Sequence, residues 1–533
     1  MVRVEGCLGA AFRTLAGQLL AIGLAALLAG CATLRGDLRP QPSYAFDQPE
    51  VTSLGRAYAK PQALHPGLSG FRLINNGVSA LMTRAAMADL AERSIDVQYY
   101  IFDPDESGAF LLGRLMAAAE RGVQVRILLD DYPLALDEAT LAAIDAHPLV
   151  EVRIFNPYRY RNRVFRSMES LFNLEQVGRR MHNKVFAVDG QIAILGGRNI
   201  SNQYMEGEAD ANFRDIDVLA AGPVLKEVAA SFDSYWNSSI VVPVAALDPT
   251  RAEAGVDSRF EALRAEAAAG HGPYAEYVLR KNDFMRRLLG ADGMIWAKGR
   301  AIVEPPVRRV EGASKSSAEI ARALAIARLG TSNEIVYQVA YFVPGEKGVR
   351  VLSDMVARGV RVRVLTNSLA STDVLAVHAG YARYRESLLR GGIELHEYRA
   401  DAKRPEPAGH RMRRASSGSA LHAKIVIHDR KLVWIGSANF DPRSRHINTE
   451  SGLLIESDVL AARIMSSVER DFSLAHSWML SLRRDNEAVL GGLVWKGEID
   501  GKEVSFDYEP GASLLRHLGV LFYSLIPGIE DLL

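Results

Sequence analysis

Along the chain, short runs of β-branched and aromatic residues alternate with stretches of helical periodicity, and the order recurs. Ser94-Ile-Asp-Val-Gln-Tyr-Tyr-Ile-Phe102, bounded by Asp103-Pro104, has the pattern of a strand. A helical stretch from Gly108 to Arg121 follows, and Gly122-Val-Gln-Val-Arg-Ile-Leu-Leu129 is a second strand ending in Asp130-Asp131. The second half repeats this order with Glu334-Ile-Val-Tyr-Gln-Val-Ala-Tyr-Phe342, a helix from Pro344-Gly345 to Arg358, and Gly359-Val-Arg-Val-Arg-Val-Leu365. Strand–helix–strand requires a crossover and so parallel pairing. The expected fold is α/β: two pseudo-symmetric lobes, each a mixed sheet flanked by helices, sharing one site at their interface.

Two further stretches alternate as strand, turn, strand. The first is Met181-His182-Asn-Lys184-Val-Phe-Ala-Val-Asp189, continuing through Gly196-Gly197 to Asn199. The second is Leu421-His422-Ala-Lys424-Ile-Val-Ile-His-Asp429, continuing through Gly436-Ser437 to Asn439. Residues two apart on a strand face the same way, so each His shares a face with its Lys. An apolar hairpin with two ionisable groups on one face is hard to explain by packing alone.

The patterning also sets boundaries. Residues 1–30 have the layout of an export signal: Arg3 and Arg13, an apolar run from Leu15 to Leu28, then Leu28-Ala-Gly-Cys31. That run is short for a spanning helix. Its ending resembles a bacterial lipobox, which makes Cys31 the expected lipidation site and mature N-terminus. Residues 31–60 are expected as a tether, 61–245 as the first lobe, 246–310 as a helical connection, 311–485 as the second lobe, and 486–533 as a membrane-associating segment. The last contains the apolar run Leu514–Ile526, too short to span. Residues 401–419 read as a mobile polar loop before the second motif.

Composition narrows the chemistry. Lys+Arg and Asp+Glu are both 63, so the net charge is zero, which argues against a dedicated nucleic-acid binder. There are two cysteines, Cys7 in the signal and Cys31 at its end, so no thiol remains for disulfide, metal or nucleophile. No metal-ligand cluster and no GxxxxGK[ST] phosphate loop occurs, and neither metal nor cofactor is expected.

The paired motifs suit displacement at a phosphodiester. That reaction needs a nucleophile, an acid for the departing oxygen, and positive charge around the phosphoryl oxygens. His182 and His422 are candidates for the first two roles because imidazole titrates near neutrality. Lys184 and Lys424 supply charge, while Asn199, Asn439 and the turns at Gly197 and Ser437 are candidates for holding phosphate oxygens. Asp189 and Asp429 complete the candidate catalytic set; their place at the hairpin turn suits a structural hydrogen-bonding role. Each histidine also needs an orienting acceptor. Asp215 stands seven residues before Gly222-Pro223, and Glu450 seven before Ser457-Asp458, so the two are paired as equivalents, with Asp217 as fallback. Between Phe155 and His182, Arg159, Arg161, Arg163, Arg166, Arg179 and Arg180 interleave with Tyr158, Tyr160, Phe165, Met168, Leu171, Phe172 and Leu174. Such a segment suits anionic headgroups and acyl tails.

The duplicated motifs resemble the phospholipase D superfamily over nearly the whole mature chain. Val97-Gln-Tyr-Tyr-Ile101, Phe155-Asn-Pro157, Arg179-Arg-Met-His-Asn-Lys184, Ile295-Trp-Ala-Lys298, His378-Ala-Gly-Tyr-Ala382 and Phe440-Asp-Pro-Arg-Ser444 resemble the bacterial cardiolipin synthase C family. The resemblance implies phosphatidyl transfer between phospholipids, with His182 as nucleophile. Its expected substrates are phosphatidylglycerol and a second phospholipid, phosphatidylethanolamine among the candidates. It also implies a bilayer partner and a lipid-anchored, periplasm-facing place in the cell envelope, with the outer membrane suggested by Ala32-Thr33. Competing readings are a hydrolytic phospholipase D, a periplasmic nuclease, and an inactive lipid-binding scaffold.

Overall fold

A computed structural model describes residues 38–533 apart from 133, 162–165, 167–168, 170–177, 206–210, 248–274, 307–317, 403–417, 486–487 and 527–533. The signal, Cys31, most of the polar loop at 401–419, and Arg163, Phe165, Met168, Leu171, Phe172 and Leu174 lie outside the described residues.

Ten strands precede the second half: β1 (Ser69–Ile74), β2 (Ser94–Tyr99), β3 (Gln124–Asp130), β4 (Val150–Phe155), β5 (Val185–Val188), β6 (Ile192–Gly196), β7 (Ala211–Arg214), β8 (Asp217–Ala221), β9 (Val241–Pro243) and β10 (Ile295–Val303). Ten follow: β11 (Glu334–Val339), β12 (Arg361–Asn367), β13 (Glu394–Tyr398), β14 (Gly418–Leu421), β15 (Lys424–His428), β16 (Leu432–Gly436), β17 (Ser451–Glu456), β18 (Ser477–Asp485), β19 (Ala488–Ile499) and β20 (Lys502–Phe506). The crossover strands pair in parallel, β2 with β3 and β3 with β4 in one half, β11 with β12 and β12 with β13 in the other. Each motif hairpin, β5–β6 or β15–β16, packs antiparallel beside them.

The first lobe thus runs β9-β4-β3-β2-β5-β6-β8-β1, and the second mirrors it as β18-β13-β12-β11-β15-β16-β17-β10. Strand β10 pairs antiparallel with both β1 and β17, and so joins the lobes into one sheet of 18 strands. Helices Gly77–Leu90 and Glu319–Leu329 follow β1 and β10 in turn, each leading into the next central strand. Strand cores are buried on both faces, as parallel strands under helices must be.

Three expected boundaries move. Residues 295–303, expected within a helical connection, are the first strand of the second lobe. Ile295 and Ala297 are buried while Lys298 and Arg300 face water, the alternation of a half-buried strand. Residues 488–506, expected in a membrane-associating segment, instead add β19 and β20 to the sheet edge, with Trp495 buried. The tether also ends early: Ser43 and Ala45 donate backbone N–H to Asn237 and Asp233, and the helix Ser53–Leu64 packs on the lobe.

Candidate active site

The two motif histidines meet where the lobes interlock. Strand β7, just before Asp215, pairs in parallel with β14, just before His422. The backbone N–H of His422 donates to Arg214 O at 2.8 Å, and that of His182 to Thr449 O at 2.9 Å. Each histidine is therefore threaded against the strand that precedes the other lobe's carboxylate, and the orienting pairs are exchanged. His182 Nδ1 lies 2.9 Å from Glu450 Oε2, and His422 Nδ1 lies 2.7 Å from Asp215 Oδ2. Asp217, the fallback, is engaged elsewhere, paired with Arg84 at 2.9 Å. A proton on each Nδ1 donates to its carboxylate, leaving the Nε2 lone pair toward the cleft.

Lys184 and Lys424 flank this pair. Lys184 Nζ donates to His182 O at 2.6 Å; Lys424 Nζ donates to His422 O and sits 2.9 Å from His422 Nδ1. Both are buried, and burial lowers their ammonium groups to about 7 for Lys184 and about 8 for Lys424. Glu450 opposes the first shift and Asp215 the second. Burial also lowers both imidazoles, His422 further than His182, because Lys424 and Lys184 add repulsion to His422 while Glu450 supports protonation of His182. Burial pushes the Asp215 carboxyl up; at Glu450 it is outweighed by His182, Lys184 and the Ser437 hydroxyl, which hold that carboxyl low. Two buried cations and two imidazoles in one cleft form a cage suited to an anion.

The surroundings differ between the halves. His422 is covered by Tyr204 and Phe213, ring centroids at 4.9 and 5.1 Å, with Tyr204 Oη 3.4 Å from its Nε2. Tyr100 meets the His182 ring edge-on at 5.1 Å. The His182 side chain remains 12% exposed against 6% for His422, so His182 is the more accessible from the cleft.

The other candidates divide into two groups. Asn439 keeps a buried amide oxygen, Oδ1, without a hydrogen-bond partner among the described residues. The Asn199 side chain hydrogen-bonds the Tyr204 hydroxyl, and its Oδ1 accepts from Ile101 N at 3.2 Å, which places it beside His422. Gly197 and Ser437, expected to hold phosphate, instead adjoin the orienting carboxylates. A Cβ on Gly197 would come within 2.5 Å of both Asp215 carboxylate oxygens. Ser437 Oγ donates to Glu450 Oε2 at 2.5 Å. These two are positioning residues whose size matches the carboxylate each must seat.

Asp189 and Asp429 stand apart from the cleft. Asp189 accepts backbone N–H from Glu92, Arg93 and Ser94, and Asp429 from Ser332, Asn333 and Glu334, at 2.7 to 3.0 Å. Each clamps its hairpin turn to the start of a central strand. The turn needs left-handed backbone, with φ of 52° and 60° at Asp189-Gly190 and 49° and 55° at Asp429-Arg430. The arginine-rich segment is also more structural than its composition implied. Arg161 pairs with Asp131 and Glu138, each at 2.7 Å, Arg180 pairs with Asp130 at 3.2 Å, and Arg166 donates to Asp131 O at 2.9 Å. These three are tied to carboxylates or a carbonyl of the protein. Sequence periodicity gave no sign of this, because the acidic partners Asp130 and Asp131 close a strand far upstream.

A family model described as "Cardiolipin synthase, PLD-like domain" matches residues 85–236 and 325–473, one match per lobe. The chain is 37% identical to cardiolipin synthase C of Escherichia coli over 87% of this chain and 96% of that protein. It is 32% identical to an uncharacterized protein of Helicobacter pylori over 92% of this chain and 94% of that one. In three dimensions it resembles the crystal structure of phosphatidylserine synthase from Haemophilus influenzae, with a TM-score of 0.52 over 80% of this chain and 91% of that one, at 14% identity.

Proposed function

The chain belongs to the cardiolipin synthase family of phospholipase D-like proteins, and from that membership we propose that it makes cardiolipin or a close relative from phosphatidylglycerol and a second phospholipid, by moving a phosphatidyl group onto a phosphatidylglycerol-type hydroxyl. The observation that carries this reading is the exchanged pair of carboxylate-oriented histidines inside a cage of two buried lysines.

His182 is the nucleophile. It is the more accessible imidazole, and its Nδ1 is directed to Glu450, which leaves Nε2 for phosphorus. In the first half-reaction a bond forms between Nε2 and phosphorus while the bond from phosphorus to the departing headgroup oxygen breaks. His422 supplies the proton that this oxygen takes up. In the empty cleft the lysines oppose a charge on His422; the negative diester cancels that repulsion on arrival and lets the imidazole hold its proton. Lys184, Lys424 and Asn199 face the equatorial oxygens as charge spreads over them. In the second half-reaction neutral His422 takes the proton of the acceptor hydroxyl, that oxygen bonds to phosphorus, and the phosphorus–nitrogen bond breaks.

The chemistry at phosphorus is the same for water as for a lipid alcohol, so product identity rests on what reaches His422. The test is to quench vesicles of radiolabelled phosphatidylglycerol with and without a second phospholipid. Cardiolipin-type product and an acid-labile phosphohistidine that Lys184 and Lys424 variants weaken, and that His182→Ala abolishes, are expected. Phosphatidic acid as the dominant product in intact vesicles would replace this reading with hydrolysis.

A further inference from the structure

The C-terminal helix Leu514–Ser524 presents an apolar face that none of the described residues covers. Leu514, Leu515, Leu518, Leu521 and Phe522 are 51–79% exposed, and Leu525 beyond the helix is 73% exposed. Positions 514, 518, 521, 522 and 525 form one stripe at helical spacing. The helix contains no acidic residue; its one arginine, Arg516, points the other way.

That other side is fastened firmly. Arg516 donates to Leu369 O at 2.7 Å and to Thr372 O, and Arg383 donates to Ser524 O at 2.8 Å. Leu375 packs beneath Gly519, where a Cβ would sit 2.8 Å from its side chain. Just upstream, Glu509 is bound by Arg385 at 2.6 Å and by His378 Nε2 at 2.9 Å, and Arg385 reaches the buried Glu397 at 2.8 Å. A buried ion cluster holds only with well-made geometry, and here it fixes the approach to the helix. The stripe is therefore held outward by the fold and is not a frayed tail.

The same contacts tie the stripe to the cleft. Leu369 and Thr372 belong to the loop 368–374, whose Asp373 accepts the Tyr341 hydroxyl at 2.8 Å. The Asp373 charge acts on Lys424 and on Tyr204, the immediate neighbours of His422. Val374, next in the chain, is 37% exposed and lies between two residues that touch the helix. The loop that fastens the helix thus also reaches the edge of the catalytic cleft.

We propose that helix Leu514–Ser524 lies in the plane of a phospholipid bilayer, its leucine stripe inserted at the headgroup–acyl boundary, and thereby holds the loop bearing Asp373 at the depth of the phosphodiesters. This rests on the phosphatidyltransferase reading for the identity of the surface. A second copy of the chain is a poorer occupant. Eleven residues at 1.5 Å rise make a stripe roughly 16 Å long and about 10 Å wide, on the order of 200 Å², against the ~800 Å² per partner of a stable protein interface. Interfacial helices need no such area, since they sink roughly 5–10 Å into the boundary. The helix adds no acidic charge to oppose anionic lipid, and the loop on which it is fastened reaches the cleft that must receive a lipid headgroup.

Full-length protein carrying Leu521→Trp is mixed with phosphatidylglycerol–phosphatidylethanolamine vesicles whose acyl chains are brominated or not. The emission added by the substitution is expected to shift to the blue and be quenched several-fold by the brominated chains. Leu518→Glu with Phe522→Glu is expected to lower vesicle turnover by about tenfold or more while leaving hydrolysis or transfer of a soluble short-chain phosphodiester at its original rate. The proposal is overturned if aqueous iodide quenches the introduced indole equally with and without vesicles. It is also overturned if the indole becomes shielded without lipid as protein concentration rises, which would assign the stripe to a second copy. Insertion reads independently of turnover, so a chain that inserts but forms no lipid product counts against the functional reading alone.

Discussion

Replacing Lys184 by Met should stabilise the protein while disabling it. Burial, opposed by Glu450 and reinforced by Lys424, lowers the Lys184 ammonium from 10.5 to about 7. At about 1.4 kcal/mol per pKa unit, holding the charged form in the folded protein costs up to about 5 kcal/mol relative to the unfolded chain below pH 7. Methionine fills nearly the same volume without charge, and the lost hydrogen bond to His182 O removes about 1 kcal/mol. The expected gain is about 3 kcal/mol near neutral pH, once local relaxation around the charge is allowed for. Its pH dependence has a definite sign. Because the folded value lies below the unfolded one, the unfolded chain binds more protons between about 7 and 10.5, and the stability of the unsubstituted protein rises across that window. The advantage of Lys184→Met should therefore be complete below about pH 7, shrink through pH 8 and 9, and vanish near 10.5. Urea denaturation followed by tryptophan fluorescence at about pH 6.5, 8 and 9.5 measures it. Turnover should fall by about 10²–10³, as for loss of one charge-stabilising donor. Added inorganic phosphate should raise the urea midpoint of the parent more than that of the variant. A variant less stable than its parent at about pH 6.5, or a gain that does not change with pH, would refute the picture of a strained cationic cage.

Other consequences follow from the same geometry. Glu450→Gln and Asp215→Asn should each lower turnover by about 10²–10⁴ and displace the pH–rate profile, and Glu450→Gln added to His182→Ala should cost nothing further because both act through one imidazole. Gly197→Ala sets a methyl against the Asp215 carboxylate at 2.5 Å and should lower kcat with little change in KM; normal turnover in that variant would show that Asp215 is not held where the geometry puts it. Cys31→Ser should leave a longer, unlipidated precursor, detected by mass spectrometry, and unchanged processing would remove the lipobox reading.

Much of the fold was legible because its signals are local. Strand alternation, the helix between parallel strands, and the matched offsets of His, Lys, Asp and Asn all repeat within one half and again in the other. Spacing even singled out Asp215 and Glu450 as equivalents. What spacing could not reveal was the exchange, in which Asp215 serves His422 and Glu450 serves His182 across separations of 207 and 268 residues. Periodicity says which face of a strand a side chain takes, not which lobe that face meets. The same limit hid β10. Its Lys298, Gly299 and Arg300 dilute the apolar pattern, and its identity as a strand comes from β1 and β17 pairing on either side. The arginine segment misled for a related reason, since a basic run looks alike whether it faces lipid or, like Arg161 and Arg180, buried carboxylates.

The exchange bears on why duplicated halves can hold one asymmetric site. Two histidines in identical surroundings would titrate alike, yet the proposed chemistry asks one to attack as a neutral base and the other to carry a proton. Catalytic pairs separate such roles by environment. Here the separation comes from small departures from symmetry: Asp215 with Gly197 on one side, Glu450 with Ser437 on the other, and Tyr204 and Phe213 closing over His422 alone. The shorter aspartate, seated against a bare glycine, holds His422 Nδ1 at 2.7 Å, beside the lysines that oppose its charge. The glutamate, braced by the Ser437 hydroxyl, takes up His182 Nδ1 and leaves Nε2 for the attack proposed above. Because each orienting carboxylate comes from the opposite lobe, neither half contains a working histidine by itself, and the strand β10 that joins the sheets also holds the two half-sites in register.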